Sequence, residues 1–349
     1  MKNKGFIACV LLLFLVLSGA VAKAQSKLYP VMFYNLENLF DTINDPDVQD
    51  EEFTPEGPKE WNSVKYWKKM NNLDRVFWSV ASVNKAFPAV IGVSEIENRN
   101  VLEDLVMMEK MQRGNYRIVH YDSPDNRGVD VAFLYRPDVF KLEGSDKIPV
   151  KVPGLSDFKT RDIVTMWGTI EDEPFYFLVM HWPSRLGGQQ VSEFKRVAAA
   201  EIVRRAVDSV RTLRPDTKVV LMGDMNDDPV DESMTEGLRA KGKVKELQPG
   251  DLFNPFLEMF KKGEGSLAYQ DSWNLFDNMV VSDNLVKDNK GGLTLKKADG
   301  ARFLGNIYRG KFLFQQEGQY KGYPLRTFVG NNFQGGYSDH LPVFILIAK

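Results

Sequence analysis

Apolar residues gather in short runs along the whole chain, separated by polar stretches rich in glycine, proline, aspartate and asparagine. Leu28–Asn35, Ala89–Ser94, Asp130–Tyr135, Arg161–Ile170, Phe175–Met180, Lys218–Met222, Asn278–Ser282 and Pro342–Ile347 have the length and the β-branched or aromatic content of strands. Several are apolar at consecutive positions, which predicts strands covered on both faces. Two segments repeat at helical spacing instead. Val64, Trp67, Met70, Leu73, Phe77 and Val80 recur every three or four residues and stop before Phe87-Pro88. Phe194, Ala198, Ile202 and Ala206 step by four, with Val203 and Val207 alongside and Ser192 as the expected N-cap. The pattern predicts an α/β protein whose helices cover sheet faces. Asn44–Pro58 and Lys287–Gly300 read as surface loops, and no internal repeat interrupts the series.

Composition narrows the class. With 349 residues, 43% of them hydrophobic, the chain has material for a large core and is not a disordered protein. The first 24 residues read as a signal peptide: Lys2 and Lys4 precede the apolar run Phe6–Leu17, and Ala22-Lys23-Ala24 offers small residues before a cut at Gln25. The run is short for a membrane span, so residues 25–349 are expected as one exported domain with no membrane anchor. The single cysteine, Cys9, lies inside that run, so the exported part would carry no disulfide. Cleavage removes three lysines from a chain of 45 Lys+Arg and 47 Asp+Glu. The product is mildly acidic, and a nucleic-acid substrate would need a local basic groove.

Chemistry collects where the strands end. Asn35–Asn38, Glu95–Asn98, His181–Arg185, Gly223–Asp227 and Ser338–His340 each follow an apolar run directly, the usual place for a site in an α/β architecture. One Asp-x-Asn after a strand is most simply a turn. Five polar clusters in that position are a stronger pattern.

In order, Val31-Met-Phe-Tyr-Asn35, Val93-Ser-Glu95, His181-Trp-Pro-Ser-Arg185, Gly223-Asp-Met-Asn226 and Ser338-Asp-His-Leu-Pro-Val343 resemble the motifs of the endonuclease/exonuclease/phosphatase superfamily. That group contains DNase I-like nucleases, sphingomyelinases and inositol-polyphosphate phosphatases. The likeness is greatest to exported bacterial members described as nucleases. It implies a four-layer α/β/β/α sandwich and hydrolysis of phosphate esters. It also matches Glu95 to the family's principal metal-binding glutamate and Asn35 to its first-strand asparagine. Glu37 falls where other branches use aspartate, Asp277 matches the partner of the site histidine, and His181 matches a phosphate-contacting histidine.

The residue types suit that chemistry. Hydrolysis of a phosphodiester needs an activated water, neutralised phosphoryl oxygens and help for the departing oxygen. Mg²⁺, for which Mn²⁺ or Ca²⁺ are the alternatives, is the expected ion; Mg²⁺ usually takes only one or two carboxylates from a protein. Glu95 is the expected anchor, with Asn35, Glu37 and Asp339 around it. His340 titrates near neutral pH, with Asp277 to fix its tautomer. Asp224 and Asn226 leave one loop end two residues apart, suited to hold water and a phosphate oxygen; whether Asp224 or His340 is the base stays open. Arg127 and Arg185 offer bidentate charge to phosphate, although Arg127 could equally pair with Asp125 or Asp130. Trp182 reads as packing and His120 as structural or exposed.

The expected partner is a phosphate-ester substrate, nucleic acid first, and no protein partner is indicated. Asp224-Met-Asn226-Asp-Asp-Pro229 and Tyr337-Ser-Asp-His340 depart from the phosphoinositide-phosphatase pattern. A phosphomonoesterase is the second reading. A lipid phosphodiesterase using the aromatics of Tyr308–Phe314 and Tyr320–Tyr323, and a non-catalytic binding protein, follow.

Overall fold

The computed structural model of the protein describes residues 27–287 and 291–349. The expected signal segment, residues 1–24, lies outside the described residues. The first eight strands in chain order are β1 (Tyr29–Leu39), β2 (Val90–Ile96), β3 (Arg117–His120), β4 (Asp130–Tyr135), β5 (Phe140–Ile148), β6 (Ile163–Ile170), β7 (Glu173–His181) and β8 (Lys218–Asp224), and all of them but the edge strands β3 and β5 form where consecutive apolar residues are buried on both faces. The first sheet runs Thr294–Lys296, Val343–Ala348, β1, β2, β4, β3, with Gly305–Ile307 pairing off Val343–Ala348. The second runs β5, β6, β7, β8, Asp277–Ser282, Leu252–Phe253, Ala240–Lys241.

Alternation along the strands decides the layers. Val31 and Phe33 of β1, Val131 and Phe133 of β4, Phe177 and Val179 of β7 and Val220 and Met222 of β8 share one core between the sheets. Met32 and Tyr34 of β1, like Ile91 and Val93 of β2, point away, against α1 (Ser63–Asn84) and α2 (Arg99–Val106). Leu178, Met180, Val219 and Leu221 pack against α3 (Gln189–Leu213) on the other outer face. The result is a four-layer α/β/β/α sandwich. Gly92 marks how closely the sheets approach, since a Cβ there would lie 2.5 Å from the Met222 sulfur.

Several local expectations change. Ser192 does not cap the second helix, which begins three residues earlier after Gly188; its hydroxyl bonds back to the Gly188 carbonyl at 2.7 Å inside the first turn. In that helix the buried face is Ala199, Val203 and Val207, while Phe194 is 48% exposed. A step of four drifts around a helix of 3.6 residues per turn, so the outermost member leaves the buried stripe. Val64 and Trp67 leave the first helix's stripe by the opposite drift, since their steps of three fall short of a full turn. Lys287–Gly300 is not all loop, because Thr294–Lys296 pairs with Ala348–Leu346. Of these eight strands two gave no apolar run. Phe140–Ile148 and Arg117–His120 lie at sheet edges, where polar residues face solvent. Among the described residues no helix is long and apolar enough to cross a membrane.

Candidate active site

Strand register brings most of the site together. In the parallel pair β7 and β8, His181 stands opposite Asp224. On the far side of β8, Asp277 opens its antiparallel strand opposite the same Asp224. In the other sheet β1 and β2 run parallel, with Asn35 beside Ser94, so Asn35, Glu37 and Glu95 emerge at one end. Ser338 ties the C-terminal stretch to them: its hydroxyl donates to the Asn35 carbonyl at 2.8 Å and accepts from the His340 N–H at 3.0 Å.

The backbone bends sharply here. Glu37, Asn38, Glu95 and Asn226 all have φ between 50° and 57°, in the left-handed region that non-glycine residues enter at a cost of about 1 kcal/mol or more. Those bends turn their side chains out of the strand pleat. Glu95 Oε2 accepts from Asn38 N at 3.0 Å, so two of the bent residues hold each other.

His340 lies at the centre. Its Nδ1 is 2.7 Å from Asp277 Oδ2, and its Nε2 is 3.8 Å from Asp224 Oδ2 and 3.9 Å from Asp339 Oδ1. Burial opposes a charge on the ring, but the carboxylates of Asp277, Asp224 and Asp339 prevail and raise it well above the ordinary imidazole range. Asp277 is fully buried and also accepts from the Ser266 hydroxyl.

His181 has the opposite character. Burial, then the charges of Arg161, Arg127 and His340, push it well below the usual range, so it is neutral. Its Nε2 lies 3.6 Å from Asp224 Oδ2 and 4.0 Å from Glu95 Oε1. Asp224 is held from two sides, accepting from Asn226 N at 2.9 Å and Asn35 Nδ2 at 3.0 Å. Burial raises its carboxyl; His340 pulls it down again and Asp277 adds to the rise. The Asn226 amide donates to the Trp182 carbonyl at 2.9 Å, and Trp182 itself is packed in the core.

Other expected site residues sit elsewhere in the network. Both oxygens of Glu37 are taken: Oε2 accepts from Thr327 N at 2.6 Å, and Oε1 lies 3.3 Å from Arg326 Nε. Its carboxyl is pushed up to about 7 by burial and Asp339, against Lys69 and Arg326. Arg185 is not presented to a substrate phosphate; it binds the Asn226 carbonyl at 2.8 Å and the carboxylates of Asp231 and Asp227 at 2.6 and 3.2 Å. It holds the Asn226 turn in place. Arg127 remains at the rim, half exposed, 4.0 Å from Glu95 and 3.7 Å from Asp125 and without a contact to Asp130. Asp339 pairs with Arg326. His120 is buried against Asp130 at 2.9 Å, a structural pair.

Three supporting residues escape a reading by apolar runs. Lys69 is buried in α1 and donates to the Glu37 carbonyl at 2.7 Å and the Thr327 hydroxyl at 2.6 Å. Its signal is a lysine on the buried face shared by Tyr66 and Leu73. Arg161, buried just before β6, binds the His181 and Trp182 carbonyls and Asp125. Arg326, which links Glu37 to Asp339, sits in a polar loop with no distinguishing pattern.

The donor set suits a hard cation. Glu95 Oε1 has no closer partner than Arg127 and His181 at 4.0 Å and faces the cluster, and the side-chain oxygen Oδ1 of Asn35, which accepts from Glu37 N at 2.9 Å, keeps a second lone pair. Asp224, Asp277 and His340 bring one ligand-type atom each within 4.8 Å of one another.

Comparison with known proteins agrees with this fold. Solved structures of the same fold include a humanized D. rerio TDP2, with TM-score 0.54 and 12% identity over 92% of this chain and 99% of that one. The human Nocturnin catalytic domain with bound sulfate follows at TM-score 0.52 and 14% identity, covering 93% and 98%. A Bacteroides thetaiotaomicron mannosyl-6-phosphatase has TM-score 0.51 and 16% identity, covering 91% and 99%. No curated protein sequence matches. A family model for the endonuclease/exonuclease/phosphatase family matches residues 30–349, and the chain therefore belongs to that family, whose enzymes are hydrolases of phosphate esters that use divalent metal ions.

Proposed function

We propose that the protein is a Mg²⁺-dependent phosphodiesterase that cleaves nucleic acid, acting after export. The observation that carries this reading is the pairing of a charged His340, held by Asp277 at 2.7 Å, with the carboxylate of Asp224 3.8 Å from its other nitrogen. One group is set to donate to a phosphoryl oxygen and the other to take a proton from water. A divalent cation bound at Glu95, with Asn35 beside it, supplies neutralisation of charge on the phosphoryl and departing oxygens.

The chain's own residues account for the rest. Asp224, raised by burial and oriented by Asn35 and Asn226, accepts the proton of the attacking water. His340 keeps its proton because three carboxylates surround it, and donates from Nε2 to the phosphoryl group. The neutral His181 donates a second hydrogen bond from its ring. Asn226 has one amide hydrogen left after bonding Trp182, directed to a third oxygen. Arg127, at the rim, meets the next phosphate along a strand. A chain of linked phosphodiesters supplies that flanking phosphate and a small mono- or diester does not, which favours a nucleic-acid substrate. Among the neighbours of this fold, a D. rerio TDP2 is complexed with single-strand DNA product.

The test is cleavage of supercoiled plasmid with Mg²⁺, Mn²⁺ or EDTA, with His340→Ala beside the wild type. Nicking that requires the metal and is absent from the variant is the expected result. No nicking by folded wild type overturns the nuclease reading. A phosphomonoesterase is then next, because the chain's net charge of −2 suits a small phosphorylated substrate better than a polyanion. Rates on a diester and a monoester of the same alcohol separate the two.

A further inference from the structure

Asp277 holds the imidazole of His340 at 2.7 Å, yet every bond that its carboxyl makes falls on one oxygen. Oδ2 meets His340 Nδ1 and also accepts from the hydroxyl of Ser266, whereas Oδ1 is buried and has no hydrogen-bond partner among the described residues. The Ser266 oxygen in turn accepts from the Asp277 N–H at 3.3 Å. One hydroxyl therefore spans the backbone and the side chain of Asp277. Neither residue has any exposed surface.

The backbone of Ser266 reaches the other member of the pair. Its carbonyl accepts from Leu341 N at 2.7 Å, and the next residue, Leu267, stands opposite His340 in an antiparallel bridge. The Ser266 N–H donates to the Asn274 carbonyl at 2.8 Å, which fastens it to the hairpin of Leu267–Tyr269 and Ser272–Asn274. Gly265 before it is equally confined, since a Cβ there would lie 2.6 Å from the same carbonyl oxygen. The hydroxyl is thus presented from a fixed support. The terminal torsion of an aspartate has broad wells, so the plane of its carboxyl is set by whatever bonds the two oxygens. Without the Ser266 hydroxyl only His340 would set it, and the two members of the pair would have no common reference.

We propose that Ser266 is a positioning residue for catalysis: its hydroxyl fixes the plane of the Asp277 carboxyl, so that Oδ2 meets His340 Nδ1 and the other ring nitrogen is aimed at the phosphoryl group. This role rests on the reading of His340 as the group that meets the phosphoryl oxygen. Ser266 touches no reacting atom and acts through Asp277.

The test is made on the full chain with Ser266→Ala, Ser266→Thr and Ser266→Cys. Ser266→Ala should lower kcat on a labelled oligonucleotide by about tenfold or more with KM little changed, and Ser266→Thr, which keeps the hydroxyl, should restore it. Ser266→Cys, with a weak S–H donor and nearly the same volume, should fall between them and carries the test if the alanine variant does not fold. In the Asp277→Asn background, Ser266→Ala should cost less than about a further twofold, because a residue that acts through Asp277 has nothing left to position. Proton NMR gives a reading free of turnover. The chain has three histidines, and the low-field imidazole N–H resonance that Asp277→Asn removes belongs to His340; Ser266→Ala should shift or broaden it while Ser266→Thr keeps it. Wild-type kcat in Ser266→Ala, or a full loss repeated on top of Asp277→Asn, overturns the proposal. If the wild type cleaves no phosphate ester, the proposed activity fails and the resonance alone decides: unchanged in Ser266→Ala, it overturns the positioning role as well.

Discussion

At the scale of single residues, the site is a set of charges that hold one another. Asp277 has no exposed surface, and its contact with His340 Nδ1 is the shortest that the imidazole makes. Replacing it with asparagine removes the largest influence favouring the charged ring and leaves Nε2 without a fixed proton. We expect Asp277→Asn to lower kcat by about 10²–10⁴-fold. The direction of the pH effect follows from the same contact. His340 is raised, so activity that needs its proton persists as pH rises until the ring titrates. Asp277→Asn lowers that point, and the alkaline limb of the kcat/KM profile should move to lower pH. A lower rate with an unmoved limb would make Asp277 a structural residue only.

Lys69 is the second residue to test. It is wholly buried and donates to Glu37 and Thr327, and burial lowers it while Glu37 and Asp339 support its charge. Lys69→Met leaves the Glu37 carboxylate without its nearest buried cation, a change that costs about 3 kcal/mol or more when one member of a buried pair is removed. Glu37 titrates at about 7 in the fold, above its ordinary value. A raised acid stabilises the fold at low pH, and that contribution is lost as pH rises through the raised value. The Lys69→Met deficit in urea unfolding should therefore be larger at pH 8 to 9 than near pH 5, roughly the two sides of that titration. An equal deficit at both would mean that the lost bonds to the Glu37 carbonyl and Thr327, not the charge, carry the effect.

At the scale of elements, register turns separate stretches of sequence into one site. Gly223 precedes Asp224 in β8, beside Met180, which precedes His181 in β7. A Cβ at Gly223 would lie 2.2 Å from the Met180 carbonyl oxygen. That atom is backbone and cannot swing aside. Gly223→Ala should separate the two strands where they present His181 and Asp224, at a cost of about 1–3 kcal/mol, with a loss of turnover in the folded fraction. Gly92→Ala meets only side-chain atoms, the Met222 sulfur and Cγ and a Val179 methyl, so urea unfolding should show the smaller loss there. The same comparison explains what could be read in advance. Strands buried on both faces announce themselves as apolar runs, and the polar residues at their ends mark the site. What comes after those runs was not legible. The Leu28–Asn35 run stops at Asn35, whereas the strand continues to Leu39 through the bends at Glu37 and Asn38. Those bends depend on Thr327, Arg326 and Lys69, which lie far away in sequence. Arg185 shows the same limit, because its partners Asp227 and Asp231 meet it only once the loop after β8 has folded.

At the scale of the whole molecule, charge sets how substrate is gathered. The chain carries 45 basic and 47 acidic residues, and most of the arginines near the site are already committed to carboxylates: Arg161 to Asp125, Arg185 to Asp231, Arg326 to Asp339. Arg127 is half exposed and makes only long contacts, so it and the charged His340 leave about two phosphate contacts to a bound strand. Displacement of counterions then predicts a shallow salt dependence. With about two contacts, affinity should fall only roughly tenfold between about 50 and 200 mM salt, against about 10³–10⁵ for a protein that neutralises six to ten phosphates. Fluorescence anisotropy of a labelled single-stranded oligonucleotide, with metal-free protein to prevent cleavage, measures this directly. A steep slope would reveal a basic groove beyond the residues around Arg127. A shallow slope in the wild type that becomes shallower in Arg127→Ala would mean that substrate is captured by the catalytic cluster itself, and that binding and catalysis draw on the same few charges.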